Sequence, residues 1–548
     1  MTSKLKIVPL GGLGEIGKNM TVIEYEDEII IIDAGIMFPQ SDMLGVDLII
    51  PDFKYIMDKL DKITAVLVTH GHEDHVGGLP HLMEHVDAPI YATPLTAGLV
   101  EVKLRRNSRA KDSKVIIIQA GDTFTVGTHF TIEPFHVTHS IPDCVGFGIT
   151  TPVGLIVHTG DYKFDYTPAD GWPPDFAKLA EFAGRGVLCL LADSTNADRP
   201  GWTPTEATVV DALDDAFRDA TGRIIVATFA SLISRIQIVA DMAVKYGRRL
   251  AVTGRSMRDN VKMARRLGYL DIDEELLIDI NQAQHLAANQ LVIMATGTQG
   301  EPSAVMSRLA QGRHRQLKIQ DGDTVVFSAH AIPGNEEMVY RVVNRLLQRG
   351  ANVVYENIAR VHVSGHASQE EMKLMIQLVR PQFMVPVHGE LRHLRQHGVL
   401  AAEMGIPEEN IVVVENGTPL LLDEQSLTVM DRMPGGYIFI DGDSVGDIGW
   451  PIVRDREKLA ENGIFFAVVM VNGQGRVLGK SDFISRGFID LQREDELLQG
   501  VERTIAHVAE QFGNNSSALN GRVEKALNRY FYAETGRRPL VQVVIKKN

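Results

Sequence analysis

Six consecutive residues, His70, Gly71, His72, Glu73, Asp74 and His75, carry three imidazoles and two carboxylates. Imidazole nitrogen and carboxylate oxygen are the donors that suit zinc, manganese and related divalent ions. The spacing lets His70 and His72 face one ion while Asp74 and His75 face a second. Three later residues extend the set: His139 in a His-Ser-Ile-Pro-Asp string, Asp161 in Thr-Gly-Asp and His388 in His-Gly-Glu. Like His70, each follows an apolar, strand-like run, which places them all at one edge of a sheet. A carboxylate such as Asp161 can bridge two ions. The expected sites are therefore His70, His72, His139 and Asp161 for one ion, and Asp74, His75, His388 and Asp161 for the other. His136 and His158 precede these ligands closely but read as structural, and His81, His85, His129, His285, His314, His393, His397 and His507 lack a ligand-like context.

The elements that must carry these groups begin with short β-rich runs at 21–25, 29–32, 65–68, 115–118, 155–157 and 187–191. Few helical patterns separate them, so sheets packed on each other with helices outside are expected. Gly77 and Gly78 read as a tight turn into the following helix. Gly12, Gly14 and Gly17 match G-x-G-x-x-G, but the residues after them look like strands rather than a helix. A glycine-rich hairpin connection is therefore preferred to a dinucleotide fingerprint. From about 203 to 355, amphipathic stretches alternate with strands, the α/β signature. Thr203, Pro204 and Glu206 suggest a helix start there, with Thr203 as N-cap. Chemistry of the first region's type returns afterwards, so this stretch reads as an insertion. Glycines and prolines between 430 and 460 read as a connecting segment, and strands at 464–471 and 541–545 with two helices read as a small α+β domain.

The 548 residues are 45% apolar and 23% charged, which excludes a disordered chain. A formal charge of −15 argues, taken alone, against coating of polyanions. Locally the balance reverses: residues 245–266 hold eight basic groups, Arg255 and Arg258 among them, against the single acid Asp259. Cys144 and Cys189 cannot build a disulfide framework. No run approaches the roughly 20 apolar residues of a membrane span, and the first residues do not read as a secretion signal. A cytoplasmic protein is expected.

His-x-His-x-Asp-His followed by a later His, Asp and His resembles the metallo-β-lactamase pattern. Asp33, at the end of the run 29–32, resembles that superfamily's first motif, which supports the ligand loop from behind; alone it would read as a turn carboxylate. Asp193, His366 and His388 resemble motifs A, B and C of the β-CASP nucleases. The stretches 11–19, 69–78, 139–143, 160–164, 228–231, 254–257, 331–335 and 363–368 narrow the resemblance to the RNase J family.

The resemblance implies an α/β chain: a metallo-β-lactamase αββα sandwich (1–205 and 356–428), an inserted β-CASP α/β domain (206–355), a linker (429–460) and a small α+β C-terminal domain (461–548). It implies two divalent ions, zinc or else manganese or magnesium, and an RNA substrate with a 5′-monophosphate. The activity expected is 5′-to-3′ exoribonuclease plus endoribonuclease, in mRNA decay and rRNA maturation. Asp74, His366 and Asp193 are then catalytic, His366 being either a proton donor or a phosphate binder, and Ser364, His366, Ser328 and Asn335 bind phosphate. Arg255 and Arg258 are assigned to the RNA path. Phe229 reads as core and Arg235 as a possible clamp on RNA. A homodimer or homotetramer with RNA-decay partners is expected, and no membrane. DNA cleavage, hydrolysis of small acyl substrates and a non-catalytic RNA scaffold are the competing readings.

Overall fold

The computed structural model describes residues 4–547 except 41, 169, 302–303, 333–334, 434–435, 443, 475 and 513–515. Pro333 and Gly334 of the stretch 331–335, and Pro434 and Gly435 of the connecting segment, therefore lie outside the described residues. The chain divides into two compact units. The first holds residues up to Phe38 and Ile49–Tyr437; the second holds Pro39–Leu48 and the residues from Ile438 onward.

Two sheets form the base of the first unit. One runs in the order Leu427–Val429, Leu420–Leu422, Leu5–Gly11, Met20–Tyr25, Glu28–Ile32, Ile63–Leu67, Ile90–Ala92, Val115–Ile117. The other runs Phe383–Val387, Val187–Asp193, Gly154–His158, Val145–Thr151, Phe130–His136, Phe124–Val126. Their inner faces share one core, in which Ile23, Ile30, Ile32 and Leu67 meet Phe130, Ile132, Phe147, Ile156 and Leu191. Each such fully buried side chain contributes about 1.5–3 kcal/mol. Helices Phe176–Arg185 and Gln369–Val379 cover the other face of the second sheet through Phe182, Met372 and Met375. Central strands are buried on both faces, which is why Glu28–Ile32 is four isoleucines in a row and does not alternate.

Parallel pairing aligns the strand ends. Ile32 lies opposite Leu67, His158 opposite Leu191, and Asp193 opposite Val387. Asp33, Thr69, Asp161, Asp193 and His388 therefore leave their strands on one edge. The glycine-rich stretch 12–17 connects the antiparallel strands Leu5–Gly11 and Met20–Tyr25, the hairpin expected from sequence.

A third sheet has six strands, all parallel, in the order Leu277–Ile278, Arg249–Val252, Leu291–Ala295, Ile224–Ala227, Thr324–Phe327, Asn352–Val354. Alternate residues feed two cores, Val226, Met294 and Val326 on one face and Ile225, Ile293 and Val325 on the other. The helix expected at 203–206 starts later, at Ala207–Asp219. Thr203 does not cap it: its hydroxyl donates to the His366 carbonyl at 2.7 Å, and its amide donates to Glu371 at 2.8 Å. Gly77 and Gly78 also serve differently from expectation. Both adopt ordinary right-handed helical angles, and a Cβ on Gly78 would meet the Gly35 carbonyl at 2.7 Å, so close backbone approach requires the glycine.

In the second unit, Ile464–Val471 pairs antiparallel with Asp482–Arg486 and parallel with Leu540–Lys547. Its buried alternation sets Phe465, Ala467 and Val469 against Val501 and Ile505 of Asp495–Phe512 and Phe531 of Ser516–Thr535. The segment 429–460 is not bare connection: it carries the strand pair Tyr437–Asp441 and Ser444–Val445 and begins the helix Trp450–Asn462. Residues 39–48 join this unit. The Asp47 amide donates to the Ile440 carbonyl, its carboxylate accepts from the Gly442 amide, each at 2.8 Å, and Arg456 donates to the Gly45 carbonyl at 2.9 Å. Among the described residues no helix is long and apolar enough to cross a membrane.

Candidate metal centre

The strand-edge residues converge on one buried cluster. His72 Nδ1 lies 3.1 Å from His70 Nε2 and 3.1 Å from His139 Nε2. Asp161 stands beside this group, its Oδ2 at 3.6 Å from His70 and 3.8 Å from His139. The same Oδ2 is 3.1 Å from His75 Nε2, while Asp161 Oδ1 is 3.1 Å from His388 Nδ1. Asp74 Oδ2 completes a second group, 3.7 Å from His75 and 3.4 Å from His388 Nε2.

The hydrogen bonds behind the cluster decide which nitrogens carry lone pairs. His75 Nδ1 faces Asp33 Oδ2 at 2.7 Å, and His139 Nδ1 faces the Gly365 carbonyl at 2.7 Å. The Gly365 carbonyl requires a proton on His139 Nδ1, so His139 Nε2 turns a lone pair inward, while His75 stands between two carboxylates, Asp33 at Nδ1 and Asp161 at Nε2. Thr69 donates its hydroxyl to Asp33 at 2.8 Å, leaving its oxygen to accept from His70 Nδ1 at 3.0 Å. His70 Nε2 then also presents a lone pair. Two such nitrogens, of His70 and His139, meet at His72 Nδ1, where one proton can satisfy only one of them, so a cation suits the space between the three rings. His388 Nε2 is buried without a hydrogen-bond partner. These observations fit a metal, and His70, His72 and His139, or Asp74, His75, Asp161 and His388, can each hold an ion, with the donor atoms of each group within 4.8 Å of one another.

The electrostatics divide the same way. Burial, with His75 as neighbour, pushes His70 well below the ordinary imidazole value, burial does the same to His139, and His72 falls to about 4. Burial also opposes charge on His75 and His388, but Asp161 and neighbouring carboxylates outweigh it and raise both well above that value. Burial likewise penalises the Asp74, Asp161 and Asp193 carboxylates, yet the adjacent imidazoles hold all three below the usual carboxylate range. One side thus offers neutral nitrogen lone pairs and the other demands positive charge.

The backbone is strained where it delivers these groups. Asp33 and His388 take positive φ angles of 60° and 52°, uncommon for non-glycine residues. Gly35 lies against the ligand loop so closely that a Cβ would sit 1.6 Å from the Asp74 carbonyl oxygen. Gly35→Ala is expected to destabilise the fold by about 1–3 kcal/mol, the scale of overpacking. Urea unfolding, with metal content measured on the same sample, checks this; unchanged stability and metal content would contradict it.

Beside the cluster, His366 Nδ1 bonds Asp193 Oδ2 at 2.8 Å and lies 3.9 Å from Asp161. The Thr195 amide and hydroxyl fix Asp193, at 2.9 and 2.7 Å. Ser364 Oγ is half-buried and accepts from Asn196 at 2.8 Å, which leaves its own proton to donate. Ser328 differs from expectation. It is fully buried, donates to the Val361 carbonyl and accepts from Arg235, so its hydroxyl cannot reach a phosphate. Asn335 is 9% exposed and bonds Gln299 at 3.4 Å. Arg255 and Arg258 are exposed on helix Arg255–Arg266, while Arg248 of the same basic run is buried on the carbonyls of Ala220 and Gly222. Phe229 is half-buried, and Arg235, read as a clamp on RNA, is buried and paired with Glu206.

Family comparisons agree with this architecture. Residues 29–226 match a beta-lactamase superfamily domain, 221–346 the ribonuclease J beta-CASP domain, 350–414 a Zn-dependent metallo-hydrolase RNA specificity domain and 451–548 the ribonuclease J C-terminal domain. The chain is 41% identical to ribonuclease J 1 of Streptococcus pyogenes, over 98% of this chain and 97% of that one. The chain belongs to the ribonuclease J family. Ribonuclease J of Thermus thermophilus is 42% identical, over 99% of this chain and 95% of its own. A solved Enterococcus faecalis protein of unknown function shares the fold at a TM-score of 0.53 and 17% identity, covering 76% of this chain and all of that one. As in the ribonuclease J family, a metallo-β-lactamase sandwich here receives a β-CASP insertion and is followed by a C-terminal domain.

Within this ribonuclease J fold, several supporting residues had little signal in the sequence. Asn19 Nδ2 lies 3.1 Å from both His75 Nε2 and the Asp74 carbonyl. His397, read as bland, is fully buried and bonds Ser194, the residue after Asp193, at 2.9 Å. Only the position of Asn19 at the end of the glycine-rich stretch hinted at a role.

Proposed function

We propose that this chain is a metal-dependent ribonuclease, a 5′-to-3′ exonuclease preferring 5′-monophosphorylated RNA with added endonuclease activity, serving mRNA decay and rRNA maturation. The observation that carries this reading is the sharing of Asp161 between two donor groups, with the Asp193–His366 pair alongside. His70, His72, His139 and Asp161 would hold one ion, and Asp74, His75, His388 and Asp161 the second. Bound there, zinc, or else manganese or magnesium, would supply an activated water and offset charge on the scissile phosphate. Asp33 holds the His75 ring from behind. His366 passes a proton to the departing 3′-oxygen, and Asp193 fixes the ring that does so. Ser364 and neighbouring amides receive phosphate, and Arg255 and Arg258 steer the strand.

The domain limits that go with this reading are 1–205 and 356–428 for the sandwich, 206–355 for the β-CASP insertion, 429–460 for the linker and 461–548 for the C-terminal domain. A cytoplasmic homodimer or homotetramer with RNA-decay partners completes it. A product that retains a 5′-phosphate presents the preferred end to the next round, which suits stepwise degradation. The test uses matched RNA and DNA oligomers with 5′-monophosphate, triphosphate or hydroxyl ends, with and without chelator. Mononucleotide release from monophosphorylated RNA is expected, lost on chelation and in His75→Ala. Equal cleavage of DNA, or activity indifferent to chelator, would overturn the reading.

A further inference from the structure

The polypeptide passes from the sandwich into the β-CASP sheet near 203–206 and returns near 355–361. Both passages meet at one buried guanidinium. Arg235, on helix Ile233–Lys245, is 2% exposed. One terminal nitrogen donates to Glu206 at 2.6 Å, on the incoming passage. The other donates to the Val361 carbonyl at 2.8 Å, on the outgoing passage, and to Ser328 at the end of a central strand.

From Glu206 the bonds continue into the sandwich. Its amide donates to Asp165 at 3.1 Å. Lys163 joins the Asp165 carboxylate, at 3.2 Å, to the Pro204 carbonyl, at 3.1 Å, and the Lys163 and Asp165 side chains are each 1% exposed. Lys163 and Asp165 hang on Thr138: its hydroxyl donates to the Lys163 carbonyl at 2.7 Å and accepts from the Asp165 amide at 3.1 Å. Thr138 precedes His139, and Lys163 follows Asp161 by two residues. An unbroken path of charged and hydrogen-bonded groups therefore runs from a β-CASP helix to two of the ligand loops. Four buried charged side chains in one path are costly to assemble, and a hydrophobic substitute would often serve stability as well. Their geometry is better explained by alignment than by stability.

We propose that Arg235 is a positioning residue that, through Glu206 and the Lys163–Asp165 pair, sets the β-CASP domain in register with the metal-ligand loops. The proposal rests on the ribonuclease reading and deepens it. A long RNA touches both domains, so its scissile phosphate is placed only if they are aligned, and small misplacements are costly in rate. A small phosphodiester meets only the metal cluster and is indifferent to that alignment.

The experiment compares wild type with Arg235→Met, Glu206→Gln and the double variant Arg235→Met/Glu206→Gln. Each is assayed on 5′-monophosphorylated RNA and on bis(p-nitrophenyl) phosphate, with bound metal and Tm measured. The double variant removes both charges together and guards against loss of folding from one unpaired buried charge. Expected are a 30-fold or greater fall in kcat on RNA, a change under 2-fold on the small diester, unchanged metal content, and a double variant no slower on RNA than the slower single. Arg235→Lys, which keeps charge but loses the two-armed contact, should recover only part of the RNA rate. Parallel loss on both substrates, loss of metal, or an unchanged RNA rate would overturn the proposal. A wild-type protein that hydrolyses the small diester but not RNA would instead overturn the ribonuclease reading.

Discussion

Asp161→Ala is expected to lower metal-dependent RNA hydrolysis by about 10²–10³-fold, the scale on which loss of one aimed electrostatic group acts in hydrolases. Asp161 is 2% exposed and faces both donor groups, its Oδ2 toward His75, His70 and His139 and its Oδ1 toward His388. Removing it leaves His75 and His388 without the carboxylate that most favours their positive forms. Metal affinity should fall, since each donor group loses an anionic neighbour. Asp161→Asn keeps the shape without the charge and should fall nearly as far. Elemental analysis of dialysed protein, alongside RNA hydrolysis at saturating manganese or zinc, checks both. A variant that retains its full metal content and a tenth of the wild-type rate would refute the shared role.

His366→Ala should reduce kcat on RNA by about 10²–10⁴-fold, the span typical of a lost proton donor, with little change in KM. A pure phosphate-binding role gives the opposite split, a raised KM with kcat largely kept. Burial opposes the protonated form of His366, but Asp193 and Asp161 outweigh it and raise the ring above the ordinary histidine value. The acid form therefore persists to higher pH than in a free imidazole. Activity dependent on that proton is present below the raised value and is lost as pH rises through it. His366→Ala should remove this alkaline limb, and Asp193→Asn should move it to lower pH. A pH–kcat profile of the metal-loaded enzyme that keeps the limb in His366→Ala would exclude His366 as the donor.

The clustering of these side chains was legible because their chemistry is dense along the chain and because each candidate ligand follows an apolar run. His70 to His75 need no tertiary contact to be noticed, and His139, Asp161 and His388 repeat one pattern. Residues that work through distant partners were not legible. Glu371 sits three residues after Ser368 and looks like an ordinary helix cap, yet it is fully buried and accepts from Phe164, Thr203 and Ser368. Ser328 at a strand end resembles a phosphate donor until Arg235, from another helix, consumes its oxygen. Thr203 and Pro204 carry the composition of a helix start, but long-range bonds to the His366 carbonyl and Lys163 override that local preference. The α/β character of the insertion was readable from alternating helix and strand. Its strand order was not, because order depends on crossovers that leave no local mark.

Residues 39–48 belong to the unit otherwise built from Ile438 onward, and that has a consequence for biosynthesis. A ribosome releases them roughly 390 residues before their partners, which at about 5–20 residues per second is on the order of 20–80 s. Through that interval Asp47 has neither the Ile440 carbonyl nor the Gly442 amide to bond. The insertion, whose last strand is Asn352–Val354, can fold in that interval, and the sandwich closes only when Phe383–Val387, Leu420–Leu422 and Leu427–Val429 emerge at its end, while this stretch waits without its partners. Closure of the second unit is then a late event in the life of each nascent chain. A premature stop before residue 438 would leave the waiting segment permanently exposed, marking the truncated product for removal.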